Sequence, residues 1–342
     1  MKVLFICSEE SFFNEPITKA LRVLEMDVCH GDYLGNAILS RKTLIHKIVR
    51  RLPWGINDWI NILAQGRADK KILDIAKKNK PDYILVCKAK YMLLPTIDKL
   101  REMATIINWW PETMNTWGTI KKIVDHYDYF FIYDKYVRDL LVEQGHKNAY
   151  YLPFGFDLNK DSVCPDINNR ENDVIFLGSY DPKIYPERLV FMDAIKDLGL
   201  KIWGNKAWLD TPMKDYYQGW SEPKVDKILG LYKNSKIVIH SDLITSRVAG
   251  TGITLRPYDV TASGALLIAH NDRKELFDLF EDGVDFVSFN GPKDLREKVE
   301  YYIGHEDERM AISKNGFNKT KNKHTYLDRI KTIFDTIRDN KQ

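Results

Sequence analysis

The sequence predicts an α/β protein built from two consecutive doubly wound parallel sheets, and three observations point there. Short continuous apolar runs alternate with segments of helical spacing, the mark of strands covered on both faces by crossover helices. The alternation occurs twice, on either side of a polar stretch from Asp157 to Asn172 that carries Pro165. The length of 342 residues fits two domains at about 100–200 residues each, large enough to bury separate cores without metal or disulfide staples.

In the first half, Lys2 to Cys7 is a strand-type run, Ser8 to Glu15 a polar loop and Pro16 to Leu24 a helix. Asp69 to Lys78 predicts a helix, Asp82 to Cys87 a strand, Pro95 to Glu102 a helix, and Thr105 to Asn108 a strand running into Trp109, Trp110 and Pro111. Tyr127 to Tyr133 follows as a strand, Val137 to Gln144 as a helix closed by Gly145, and Ala149 to Pro153 as a strand. Beyond the polar linker come strand Asp173 to Leu177, helix Glu187 to Leu198, strand Lys201 to Trp203, helix Lys224 to Asn234 and strand Lys236 to His240. A helix from about Thr254 to Gly264, strand Ala265 to Ala269, helix Arg273 to Phe280, strand Phe286 to Phe289 and helices from Lys293 onward complete the series. The expected domains are 1–157 and 173–323, with 324–342 as a helix returning toward the first. Ligands of such sheets bind at the carboxyl ends of the strands, in a cleft between the halves.

Charge and cysteine usage exclude several classes. With 51 basic against 48 acidic residues, the net charge of +3 is far below that of a dedicated nucleic-acid-binding domain. Cys7, Cys29, Cys87 and Cys164 show no CxxC spacing, so neither a zinc site nor a disulfide framework is expected, and a reducing, cytoplasmic setting fits. Ser8, Glu9 and Glu10 end the first apolar run before a signal-peptide core is complete. No run approaches the roughly 18 apolar residues of a membrane span, so no integral membrane association is expected.

Neither half carries GxGxxG after its first strand, nor a GxxxxGK[ST] loop, which removes the main support for dinucleotide and P-loop readings. The second half has Gly178, Ser179 and Tyr180 after its first strand, with Arg188 at the start of the next helix. A small residue there lets backbone approach a ligand, and a guanidinium suits phosphate oxygens. The most informative segment is Thr251-Gly252-Ile253-Thr254-Leu255-Arg256-Pro257-Tyr258-Asp259, continuing to Gly264. A helix beginning near Thr254 tolerates Pro257 in its first turn and places positions 252, 256, 259 and 263 on one face. Free amides and Arg256 suit a diphosphate, while Asp259, one turn deeper, can accept both hydroxyls of a ribose.

These residues resemble a family. Arg256 to Gly264, Glu275-Leu276-Phe277, Gly283 and His324-Thr325-Tyr326 look like the carboxyl-terminal domain of CgeB-like glycosyltransferases, relatives of glycosyltransferase family 4. Phe176 to Tyr180 with Pro186-Glu187-Arg188, Pro81-Asp82-Tyr83, Trp110-Pro111-Glu112 and Pro153 to Asp157 extend the resemblance over most of the chain. It implies a GT-B fold, two facing Rossmann-like domains, with the nucleoside-diphosphate sugar in the carboxyl-terminal half and the acceptor in the amino-terminal half. By the same resemblance Asp259 contacts the ribose, Arg188 faces the diphosphate, Gly252 approaches sugar or phosphate through its backbone, and Trp220 borders the base. Eight residues before Asp259 this chain has Thr251 where family 4 has the acid that carries the donor-sugar contact and the retaining outcome.

Glycosyl transfer needs a stabilised leaving diphosphate and a positioned acceptor hydroxyl, and in an inverting enzyme a general base. Glu112, following a strand of the first half, is the candidate to contact or deprotonate the acceptor, with Trp110 beside it. His126 and His240 read as packed or surface histidines. The lack of HDD, DxD or HExxH motifs leaves no metal or other cofactor expected beyond the nucleotide-sugar co-substrate. Residues 41–51 hold five basic residues and no acid, and there Arg50 and Arg51 are candidates to meet an anionic acceptor, whether glycan, lipid headgroup or DNA. Two other readings fit the same residues: a non-catalytic nucleotide-sugar-binding protein and a nucleotide-sugar epimerase.

Overall fold

The computed structural model describes residues 1–34, 44–49, 51, 54–157, 170–219, 225–241 and 252–340. The chain divides into two compact units, one of Met1–Pro153 with Tyr326–Gln342, the other of Phe154–Thr325.

The first unit holds a parallel sheet of strands β1 (Lys2–Ile6), β2 (Asp27–Gly31), β3 (Tyr83–Cys87), β4 (Thr105–Trp110), β5 (Tyr129–Ile132) and β6 (Ala149–Tyr151), in the order β2-β1-β3-β4-β5-β6. The helices are α1 (Asn14–Val23), α2 (Leu44–Val49), α3 (Trp54–Asn79), α4 (Leu94–Arg101), α5 (Trp117–Ile123) and α6 (Lys135–Glu143). The central strands read IVL-rich on both faces because helices cover both, and Leu4, Ile6, Ile84, Val86, Ile106, Phe130 and Ile132 are completely buried. The last helix of the chain (Tyr326–Asp339, α13 below) belongs to this unit and packs on α1, with Tyr326 against Phe13 and Trp109.

The second sheet comprises β7 (Asn172–Leu177), β8 (Leu200–Trp203), β9 (Tyr217–Gly219), β10 (Ser235–His240), β11 (Leu266–His270) and β12 (Val287–Phe289), all parallel in the order β12-β11-β10-β7-β8-β9. Around it lie α7 (Pro186–Ala194), α8 (Val225–Lys233), α9 (Arg256–Ala262), α10 (Lys274–Leu279), α11 (Gly291–Gly304) and α12 (Glu306–Lys323), before α13. The order is that of a dinucleotide-type fold, and its direction reverses between β7 and β10. The first sheet reverses between β1 and β3.

Four elements differ from the sequence expectation. The helix expected over 69–78 runs from Trp54, because Ala64, Ala68, Ile72 and Ala76 continue one buried face upstream. β2 and β9 are short edge strands whose mixed burial carries little periodic signal. The helix expected from Thr254 starts at Arg256, with Pro257 in its first turn, and ends at Gly264, whose φ of +67° suits a residue without Cβ. Gly252 therefore precedes the helix and does not share its face.

One close approach shapes the carboxyl end of the second sheet. A Cβ on Gly204 would lie 2.1 Å from the Gly178 carbonyl oxygen and 2.7 Å from Trp208 Nε1, the atom that donates to that carbonyl at 2.8 Å. Gly204→Ala is expected to destabilise the second unit by about 3 kcal/mol, read as a lowered urea midpoint for its unfolding.

Candidate functional site

The reversal between β7 and β10 is where a doubly wound sheet leaves a crevice, and the second unit concentrates polar chemistry there. Gly178, Ser179 and Tyr180 leave β7, and Ser241 leaves β10. Asn205 fastens Tyr180 twice, accepting from its N–H at 2.8 Å and donating to its carbonyl at 3.0 Å. Arg188 of α7 is buried beneath these loops. Its Nη1 donates to Ser179 O at 2.5 Å and its Nη2 to Ser241 O at 2.7 Å, with the guanidinium 3.4 Å from the Tyr185 ring centroid. The planar fork thus ties the ends of both strands, a task that fits its several fixed donors. Arg188 lies at the crevice, where those two donors are given to backbone.

α9 brings up the second group. Arg256 Nη1 lies 3.5 Å from His240 Nδ1 at the end of β10, and Arg256 hydrogen-bonds the buried Tyr232 of α8. Asp259, three residues on, is half-buried beside it. Desolvation pushes its carboxyl up to about 7, with Arg256 pulling in the opposite direction. Arg256 and Asp259 therefore lie within electrostatic reach of each other, on a segment that also packs through Thr261 on Thr320, hydroxyl to hydroxyl at 2.7 Å. His240 is buried, matching a packed histidine, though it faces Arg256. His126, the other such histidine, is at the surface on Asp98.

Gly252, with φ +80°, leads into this helix together with buried Ile253 and half-buried Thr254. Gly252 N–H donates to Glu275 Oε2 at 2.7 Å, and its carbonyl accepts from Arg273 Nη1 at 3.3 Å. Both partners are almost fully buried. Sequence reasoning quoted Glu275 without a role and missed Arg273. The signal was an acid and a base opening a short helix after β11, whose charges have no apolar alternative once buried. Thr251 and Trp220 lie outside the described residues.

In the first unit, Glu112 follows β4 and forms an ion pair with Lys88, which follows β3 with φ +67°. Lys88 was not anticipated, since parallel neighbours 24 residues apart leave no local pattern. Trp110 is not available to an acceptor: it is fully buried, stacked near Phe130, with Nε1 donating to Thr116 Oγ1 at 3.0 Å. The alternation of β4 that sends Trp110 into the core is what its apolar neighbours require. Arg51 is exposed in the turn after α2, and Arg50 lies outside the described residues. Cys7, Cys29 and Cys87 are free thiols, and the thiols of Cys7 and Cys87 hydrogen-bond to each other across the ends of β1 and β3.

Residues 188–335 match the family model described as "Glycosyl transferase-like". The spore protein CgeB of Bacillus subtilis (strain 168) is 22% identical over 195 residues, covering 52% of this chain and 58% of that protein. The match thus spans little more than half the length of the curated relative. Among solved structures, Anabaena Alr3699/HepE in complex with UDP-glucose superposes with TM-score 0.63 at 10% identity, over 99% of this chain and 100% of that one. Sucrose-phosphate synthase from Thermosynechococcus elongatus superposes with TM-score 0.64 at 9% identity, over 99% and 98%. At such identities the structural likeness is one of fold. Described helices include none long and apolar enough to cross a membrane. The carboxyl-terminal half of the chain is thus similar to glycosyltransferase-like domains, about half of the chain resembles CgeB in sequence, and the fold is of the GT-B class.

Proposed function

We propose that this chain is a glycosyltransferase that moves a sugar from a nucleoside-diphosphate sugar to an acceptor hydroxyl. The observation that carries the reading is a desolvated Asp259 within electrostatic reach of Arg256, which lies by the end of β10 at the strand-order reversal of the domain matched by the glycosyltransferase-like model. The UDP-glucose complex of HepE supports the donor class.

In the reaction the acceptor oxygen attacks the anomeric carbon, the bond from that carbon to the β-phosphate oxygen breaks, and the nucleoside diphosphate leaves with the electron pair. Arg256 supplies positive charge for the leaving group. Asp259 accepts hydrogen bonds from the ribose hydroxyls, and the Glu275–Gly252–Arg273 arrangement holds the backbone that leads to both. Arg188 acts by positioning the Ser179 and Ser241 loops. Glu112, oriented by Lys88, contacts the acceptor hydroxyl and takes its proton. The reading assigns no cofactor or metal, covers hexosyl and pentosyl donors alike, and takes a glycan, a surface polymer or a modified phage DNA base as acceptor in a cytoplasmic setting.

A melting-temperature screen against UDP, GDP, ADP and CMP sugars tests it. One nucleotide series is expected to raise the midpoint and to be hydrolysed slowly without acceptor. Tight binding with no release identifies a non-catalytic binding protein, conversion of the donor to its epimer identifies an epimerase, and no shift with any nucleotide overturns the donor site.

A further inference from the structure

The long helix α3 has two apolar faces. Ala64, Ala68, Ile72 and Ala76 are buried in the first unit, the ordinary use of an amphipathic helix. On the opposite face, positions 56, 59, 63, 67 and 70 follow helical spacing as a second stripe. Ile56, Trp59 and Leu63 stand 52%, 62% and 46% exposed, and Arg67, Lys70, Asp74 and Lys77, also exposed, continue the stripe with a net positive charge. The preceding helix α2 repeats the composition: Leu44, Ile45 and Ile48 are exposed beside Lys47, and Arg51 follows in the turn, while Val49 is buried. From Tyr33 to Asn57 the sequence holds no acidic residue.

We infer that the outward faces of α2 and α3 dock this protein on a bilayer surface bearing anionic headgroups. The composition selects that occupant. Branched aliphatic side chains and a tryptophan gain by entering the boundary between headgroups and acyl chains, and lysine and arginine beside them pair with lipid phosphates. A nucleic-acid backbone would use the cations but offers Ile56, Leu63 and Ile48 nothing apolar to meet. A second copy of this face, related by a two-fold axis, would set Lys47, Arg51, Arg67 and Lys70 against like charges. The docking is peripheral, and it is independent of the donor-site reading, because none of these residues belongs to that site.

Cosedimentation of the full chain with vesicles tests the inference. Binding is expected to phosphatidylcholine vesicles that contain about 30 mol% phosphatidylglycerol and to be weak on phosphatidylcholine alone, with loss at high salt. The triple variant Ile56→Gln, Trp59→Gln, Leu63→Gln and the double variant Arg67→Glu, Lys70→Glu are each expected to lose roughly tenfold or more in vesicle affinity. All five side chains are exposed, so both variants are expected to keep the wild-type melting temperature and nucleotide response. Equal binding to both vesicle types, or variants that bind like the wild type, overturn the inference. So does a dimer that the triple variant dissociates, or binding to duplex DNA in place of vesicles.

Discussion

Asp259→Ala is expected to lower nucleotide-sugar affinity about a hundredfold, the loss of two hydrogen bonds to a charged acceptor. Isothermal calorimetry with the nucleotide found in the screen measures it. Unchanged affinity would remove Asp259 from the site. The pH dependence supplies a separate readout. Because desolvation holds the carboxyl at about 7, only about a tenth of the protein carries the ionised, fully accepting form at pH 6, and about nine tenths at pH 8. Donor affinity is therefore expected to rise roughly tenfold over that interval in the wild type and to stay flat in Asp259→Asn. Stability runs the opposite way. The folded carboxyl titrates above its unfolded value, so the folded state binds the extra proton between about pH 4 and pH 7. The stability it brings is complete below the unfolded value and is lost as pH rises through 7, on the order of 2 kcal/mol between pH 5 and pH 8. Asp259→Asn is expected to remove that slope from the melting temperature.

Arg188→Ala is expected to cost about 3 kcal/mol of stability and to abolish measurable donor binding. Its guanidinium satisfies the Ser179 and Ser241 carbonyls from a buried position, so truncation strips a charged donor from each and opens a void beneath both loops. Arg188→Lys separates charge from geometry. One ammonium on a flexible stem cannot reproduce a planar fork, so the lysine variant is expected to resemble the alanine variant in donor affinity while recovering part of the stability. Full recovery of binding by lysine would show that the site needs only the charge. Chemical unfolding and nucleotide calorimetry on the same samples decide between these outcomes.

Much of the fold was legible because buried parallel strands leave a strong, local trace. Val3 to Ile6, Ile84 to Val86 and Val174 to Phe176 are uninterrupted apolar runs within short segments bounded by polar residues, the pattern of strands covered on both faces. Edge strands such as Asp27–Gly31 and Tyr217–Gly219 had no such trace, since half of each faces outward. The Arg256–Asp259 pair was readable because helical spacing brings the two together within one turn. Trp110 was misplaced for a related reason: a strand sends neighbouring side chains to opposite faces, and only the finished packing decides which faces what.

The residues by themselves determined two doubly wound sheets and the position of the segment from Gly252 to Gly264, because apolar periodicity and side-chain type are local properties. The tertiary structure alone decided which partners the site acquires. Arg188 reaches Ser179 and Ser241, Glu275 and Arg273 grip Gly252, and Lys88 meets Glu112. It also decided the state of Asp259, whose proton affinity follows from how much water the surrounding helices leave it. Strand order, burial and desolvation arise from contacts between segments far apart in the chain, and these exist only once the sheet has closed around its crevice.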